Sequence, residues 1–286
     1  MYLRFLLFIF LIFPCTIMYS FQESSLKKAS ISSEVVRECT DFTSITTDSG
    51  VLYNNVWNKK AAKNQSWKQC IERQINDSIS KIGWTWEWPT ISKAPIIYAY
   101  PQIKIGRSPW DPMPCNDDRF PLSITNLKTL DISYEMVTKT DGQHNLAATM
   151  WIVDSDRKIE KRDPNAIKGE LMIWTYTTSK HLNPAGSKYS EILVDDLKWE
   201  VWTQKNWSDP SGQNANKWNN ITFKLKQNQL KISYNALELV RYAVKERIIP
   251  EYSFIADVEL GNEIRSGAGQ TLIKSFNVSF LEKSKR

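Results

Sequence analysis

Two glutamates stand where solubility alone does not explain a carboxylate. Glu170 heads the run GELMIWTY, Gly169 to Tyr176, whose other members favour a pleated, half-buried surface. A carboxylate in that company must be paired, wet or at work, because burying an unpartnered charge is costly. Strand alternation puts Glu170, Met172, Trp174 and Tyr176 on one face and Leu171, Ile173 and Thr175 on the other. Glu263 lies in VELGNEIRSGAG, Val258 to Gly269, where it and Glu259 flank Leu260-Gly261-Asn262 at the end of an apolar strand. Gly261 permits a bend or a close backbone approach there. Two opposed carboxyls lined by indoles are the equipment of glycoside hydrolysis. One protonates the leaving oxygen and the other attacks or activates water, while flat rings stack on sugar faces. Blander readings fit the same residues: a strand-edge glutamate pointing at water, and a strand running out into a charged turn.

Other chemistries lack their parts. His144 and His181 are the only histidines and have no cysteine or aspartate cluster beside them, so no metal site is expected. There is no G-x-S-x-G elbow, and Gly267-Ala268-Gly269 reads as a turn. The net charge of +6 comes from interspersed residues with no polybasic block, which argues against nucleic-acid binding.

Holding two distant carboxyls in one cleft needs a rigid scaffold, and the chain offers strands. Strand-like segments recur at Thr129–Lys139, Leu146–Asp154, Glu170–Thr178, Lys198–Gln204, Asn220–Lys226, Tyr252–Leu260 and Thr271–Phe280, with turn signals between them. One segment, Asn235 to Arg247, has helical spacing of Leu237, Val240 and Val244, with Asn235 and Glu238 in capping-box positions. The pattern implies an all-β, two-sheet antiparallel sandwich with one helix, formed as a single large domain. Residues 1–20 read as a cleaved signal peptide, with Arg4 ahead of the apolar core Phe5 to Phe13, so the protein is expected to be secreted. Residues 21–37 read as a polar leader and 38–286 as the catalytic domain. Cys39, Cys70 and Cys115 remain after cleavage; export makes one disulfide plausible and leaves one thiol over. Twelve tryptophans point to a large core or to a stacking surface.

At this point the motifs resemble glycoside hydrolase family 12. GELMIW is similar to that family's nucleophile strand, E-x-M-I-W, and GNEIRSG to its acid/base segment, G-x-E-x-x-x-G. Asn55-Val56-Trp57 resembles its N-x-W sugar-contacting segment, Gly83-Trp84-Thr85-Trp86 and Tyr100-Pro101 its W-x-W and Y-P strands, and Pro184-Ala185-Gly186 its P-x-G loop. These matches occur in the family's order over nearly the whole mature chain.

The resemblance implies a β-jelly roll with a concave, open cleft for a β-glucan chain. It implies Glu170 as nucleophile and Glu263 as general acid/base in a retaining endo-β-1,4-glucanase acting on cellulose-like or mixed-linkage glucan or xyloglucan. Asn55, Trp57, Met172, Trp174 and Pro184 would line the sugar subsites, and Cys39 and Cys70 would form the disulfide. No cofactor or metal is implied. The expected partner is the polysaccharide, met by a monomer, with no membrane contact once the signal is removed. An inactive carbohydrate-binding jelly roll is the rival, and a xylanase of the related jelly-roll family is disfavoured by Met172-Ile173-Trp174.

Three positions depart from the family pattern. Thr149 stands in AATMW where the family's A-Y-D-x-W has an aspartate beside the nucleophile, so a hydroxyl is expected to donate to ionised Glu170 and leave it with an ordinary acidity. Phe42 replaces a common stacking tryptophan, and Arg265 takes a position more often aromatic. Trp84 and Trp88 are read as core, and Glu259 as a bystander. Sequons occur at Asn64, Asn76, Asn206, Asn220 and Asn277.

Overall fold

Alternating apolar and polar residues organise most of the chain into strands. The computed structural model describes residues 34–76, 79–90, 96–110, 116–154, 164–179, 182–209, 211–212 and 215–283. The expected signal peptide, most of the leader, Cys115 and His181 lie outside the described residues.

A back sheet runs in the order β1 (Glu34–Glu38), β4 (Lys68–Asn76), β5 (Ile79–Trp88), β17 (Ile264–Glu282), β8 (Leu127–Thr140) and β14 (Lys231–Asn235). A front sheet runs β2 (Ser44–Thr47), β3 (Gly50–Tyr53), β6 (Gln102–Gly106), β16 (Asp257–Gly261), β9 (Gln143–Val153), β10 (Ile167–Thr177), β13 (Lys217–Leu225), β12 (Leu197–Ser208) and β11 (Ser187–Val194). The short β15 (Phe254–Ile255) joins the end of β9 and carries β7 (Leu122–Ser123). β1 therefore takes in the last four residues assigned to the leader.

The strand expectations hold in place and direction, with one exception. Every pair is antiparallel except β10 with β13, which run parallel. Gly267-Ala268-Gly269 is also not a turn. It lies inside β17, paired with both β5 and β8, and the turn is Asp141-Gly142 opposite it. The two segments meet backbone to backbone: a Cβ on Gly267 would lie 2.4 Å from the Gly142 Cα.

Between the sheets sits one continuous apolar core. Leu146, Ala148, Met150, Ile152, Leu171, Ile173, Ile221 and Phe223 point inward from the front sheet and meet Trp84, Ile132, Tyr134 and Phe276 from the back sheet. Trp84 and Trp88 are core, as expected, and Trp67, Trp88 and Tyr98 form a near-parallel stack with centroids 4.4 and 5.0 Å apart. One helix, Ala236–Lys245, is present among the described residues and buries Leu237, Leu239, Val240 and Ala243. Asn235 caps it by accepting from the Glu238 backbone N–H, a bond of about 1 kcal/mol. The reciprocal half of the box is replaced: the Asn235 N–H donates to Asp195 Oδ2, and Glu238 pairs with Arg241. Cys39 and Cys70 form the disulfide, tying the end of β1 to β4. No helix among the described residues is long and apolar enough to cross a membrane.

Candidate active site

β10 lies between β9 and β13, and register decides what surrounds Glu170. Glu170 sits opposite Trp151 on one side and Asn220 on the other. Met172 is flanked by Thr149 and Thr222, and Trp174 by Ala147 and Lys224. Cross-strand partners share a face, so all nine side chains are on the outer face of the front sheet. The alternation expected within GELMIWTY holds through Trp174 and fails at Tyr176. A register shift between Trp174 and Tyr176 pairs Tyr176 with Leu146, and its ring packs inward against His144 at 5.6 Å.

The Glu170 carboxylate is half-buried and firmly held. Trp218 Nε1–H and Asn220 Nδ2–H both donate to Oε2, at 3.0 and 3.1 Å. Neither bond uses Oε1. Burial raises the pKa of Glu170 above the ordinary glutamate value, the two donors pull it down, and Asp209 raises it again. Asn220 is buried at this contact, so the sequon at Asn220 is closed in the folded protein.

Glu263 follows the end of β16, where the chain passes to the back sheet as β17. Asn145 grips it twice: Asn145 Nδ2–H donates to Glu263 Oε2, and Asn145 Oδ1 accepts from the Glu263 N–H at 2.9 Å. Asn145 is held in turn by Asn262. The buried Asn262 amide donates to the Asn145 carbonyl at 2.7 Å and accepts from Trp84 Nε1 and Thr271 Oγ1 at 2.9 and 2.8 Å. Burial is the largest influence on Glu263, Asn145 opposes it and the charge of Glu170 adds to it, leaving the carboxyl at about 8. The two carboxyls thus feel each other electrostatically and differ in acidity. Gly261 provides the close approach expected of it: a Cβ there would sit 2.5 Å from the Pro101 carbonyl and 2.9 Å from the Tyr100 ring.

Thr149 does not serve Glu170. It is opposite Met172, one pair along, and its hydroxyl lies 3.3 Å from the Tyr100 hydroxyl. Tyr100 spends its own proton on the Ala147 carbonyl at 2.8 Å, so Thr149 donates to Tyr100. The expected hydroxyl support of Glu170 comes instead from an indole and an amide on β13, and Glu170 does not keep an ordinary acidity.

Of the remaining residues expected in the subsites, Met172 and Trp174 share the face of Glu170, and the others lie in loops outside the strands. Met172 and Trp174 are largely buried and cluster with Ala147. Asn55 follows β3 and reaches Gln102 Oε1 on β6 at 3.4 Å. Trp57 is half-buried in the next turn, beside Asn58, which is tied to the Ile97 carbonyl at 2.8 Å. Pro184 is buried in the loop before β11, next to Asn183, whose Oδ1 accepts from Lys224 at 3.5 Å. Phe42 is exposed and tilted against Tyr53, and Arg265 donates to Gln143 Oε1 at 2.8 Å.

Four residues were not singled out from the sequence as part of a site: Trp218, Asn220, Asn145 and Trp110. Trp110 packs edge-on against Trp151 and Trp218, centroids 5.1 and 5.5 Å away, and keeps 36% of its surface exposed. The only sequence signal for this group was the surplus of tryptophan. One carboxylate held through a single oxygen and a second carboxyl kept protonated can carry out nucleophilic attack and proton donation on one acetal.

The model of the family described as Glycosyl hydrolase family 12 matches residues 49–281. No curated protein matches the sequence. Among solved structures, the native family 12 xyloglucanase from Bacillus licheniformis is similar with a TM-score of 0.72 at 22% identity, over 86% of this chain and 100% of that one. Endoglucanase cel12A from Rhodothermus marinus gives 0.68 at 21% identity, over 87% and 100%. Trichoderma harzianum endoglucanase 3 gives 0.66 at 16% identity, over 87% and 98%. The jelly-roll fold is common to all of them.

Proposed function

We propose that this chain, which belongs to glycosyl hydrolase family 12, is a secreted, endo-acting β-1,4-glucanase that works by a retaining double displacement. The observation that carries the reading is the unequal treatment of two carboxyls that lie within electrostatic reach of each other. Glu170 receives two donors on one oxygen, and Glu263 is held at about 8.

In the first step a Glu170 oxygen forms a bond to the anomeric carbon as the glycosidic C–O bond breaks, and Glu263 passes its proton to the departing sugar oxygen. In the second, Glu263 takes a proton from water as that water attacks the same carbon, and the Glu170 carboxylate is released. Trp218 and Asn220 serve both steps by fixing the plane of the nucleophile. Met172, Trp174, Asn55, Trp57 and Pro184 are the residues proposed to line the subsites. The substrate class is supported by the names of the similar structures, xyloglucanase and endoglucanase, and by the indoles around Glu170. Secretion is supported by the apolar N-terminal run and by the Cys39–Cys70 disulfide.

Two measurements test this reading. Glu170→Gln should release no reducing sugar from soluble β-glucans while still binding oligosaccharide, since an amide cannot form the covalent intermediate. Proton NMR of early hydrolysis should show the β-anomer before mutarotation. Early α-anomer, or substantial turnover by a clean Glu170→Gln preparation, contradicts the assignment.

A further inference from the structure

His144, the one histidine among the described residues, is fully buried and takes no part in the double displacement. Its place is beside the acid. It pairs with Ile264, the residue after Glu263, and it precedes Asn145, which grips Glu263 twice. Two rings pack on the imidazole, Tyr176 near-parallel and Trp86 edge-on, each with centroids 5.6 Å away. The backbone N–H and carbonyl of His144 are both tied to Thr178, so the residue is fixed at main chain and ring alike.

The Nδ1 atom meets two groups with opposite demands. The Asn145 carbonyl, 2.9 Å away, can only accept, and the Asn262 side-chain nitrogen, 3.0 Å away, can only donate. Asn262 cannot turn its amide round, because its Oδ1 already accepts from Trp84 Nε1 and Thr271 Oγ1, and an indole N–H only donates. Its two amide protons therefore have two acceptors: the Asn145 carbonyl at 2.7 Å and Nδ1 of His144. A proton on Nδ1 would confront one of them and leave it unpaired in the core. It would also leave the Nε2 lone pair unused, since Nε2 has no hydrogen-bond partner among the described residues. With the proton on Nε2, that N–H is the single group left over. Burial lowers the pKa of His144 against the pull of the Asn145 carbonyl, which favours a neutral ring.

We propose that His144 is a positioning residue for Glu263: as the neutral Nε2–H tautomer it accepts from Asn262 through Nδ1 and so locks the amide that holds Asn145 against the acid. The proposal rests on the role given above to Glu263. The contacts run unbroken from Nδ1 to the Asn262 amide, from that amide to the Asn145 carbonyl, and from the Asn145 side chain to the Glu263 carboxyl and N–H. An apolar side chain at position 144 strands one Asn262 proton, and the amide gives up its geometry to find another acceptor. Asn145 then loosens, and Glu263 loses the donor that opposes burial. Besides burial, the groups that act on Glu263 are Asn145 and Glu170. Those around the imidazole are Tyr176 of β10, Trp86 of β5, Thr178, Asn145 and Asn262.

The first test is nitrogen NMR of protein labelled in its histidine rings, with His144 assigned by its loss in His144→Asn. Near neutral pH, Nδ1 should resonate as an unprotonated nitrogen and Nε2 as a protonated one. The second test compares two variants. His144→Leu removes the acceptor, and kcat on a soluble β-glucan should fall about tenfold with KM changed by less than about twofold. Carbon NMR of labelled glutamate carboxyls should show the Glu263 midpoint rising from about 8 by roughly half a pH unit. A merely structural loss would lower the active fraction and leave that midpoint in place. His144→Asn returns an acceptor to the place of Nδ1 and should recover most of both changes. A proton on Nδ1, an unmoved Glu263 midpoint in His144→Leu, or a His144→Asn variant no better than His144→Leu overturns the proposal. If neither variant folds, the tautomer of the parent protein decides it. Because the tautomer and the midpoint are read without turnover, absence of glucan hydrolysis would count against the proposed function and leave this result standing.

Discussion

Glu170 and Glu263 begin as the same side chain and are separated by what touches them. An indole and an amide donate to Glu170, which favours its ionised form, while burial and the neighbouring carboxylate leave Glu263 protonated up to about 8. The pH profile follows with a definite sign. The proposed double displacement requires ionised Glu170 and protonated Glu263, so kcat/KM should rise along an acid limb set above the ordinary glutamate value and fall along a basic limb near 8. A basic limb near 6 would contradict the environment of Glu263. Trp218→Phe keeps most of the ring and removes the donor. Loss of one hydrogen bond to a charged group should lower kcat by about 10–100-fold and move the acid limb upward, measured on one soluble glucan. An unmoved acid limb would mean that the indole packs without tuning the nucleophile. Both glutamates stood out in the sequence as candidates because carboxylates in apolar strands need explaining. Trp218 and Asn220 were not, since nothing in NKWNNITF tells which distant strand it joins. Thr149 was legible as a departure but misplaced in its contact, because its proton goes to Tyr100, a residue from another segment of the chain.

At the scale of elements, the site depends on three features that break regularity. The parallel pairing of β10 with β13 sets Asn220 opposite Glu170, whereas an antiparallel neighbour in another register would offer a different side chain. The bulge after Trp174 ends the outward alternation of β10 and sends Tyr176 inward. The passage from β16 into β17 is fastened by Asn262, so Glu263 is presented from a rigid crossing between the two sheets. Strand positions were legible from alternation, which is local. Pairing partners and the bulge were not, because each depends on a second strand. This crossing has a consequence for stability. Glu263 has a folded value of about 8, above the roughly 4.3 of an unfolded glutamate. The native protein therefore holds a proton that the unfolded chain releases between those values. Stability from this group is full below the unfolded value and is lost as pH rises toward 8. Glu263→Gln should accordingly raise Tm relative to the parent protein at pH 8, on the order of a few degrees, and by less at pH 4. Calorimetry at the two pH values measures it, and an equal difference at both would contradict the buried, protonated state.

At the scale of the molecule, the fold serves as a platform that holds residues from β9, β10, β13 and β16 on one front face, with Glu263 at the passage from β16 into β17. The back sheet and its tryptophans supply the rigidity, with Trp84 both filling the core and donating to Asn262. The overall architecture was legible because strand-length alternation, turn residues and a single helical stretch agree with each other. The order of strands across the sheets was legible only through the family resemblance, since antiparallel order follows non-local pairing. The central claim is that this face brings Glu170 to an anomeric carbon as nucleophile. The most direct test is to incubate the purified protein with a 2-deoxy-2-fluoro cello-oligosaccharide bearing a good leaving group, which lets the first step proceed and slows the second. Mass spectrometry of the digested protein should find one sugar attached, on the peptide containing Glu170 and on that residue. A label on any other carboxyl, or hydrolysis of the reagent with no covalent adduct at any time, would contradict the account.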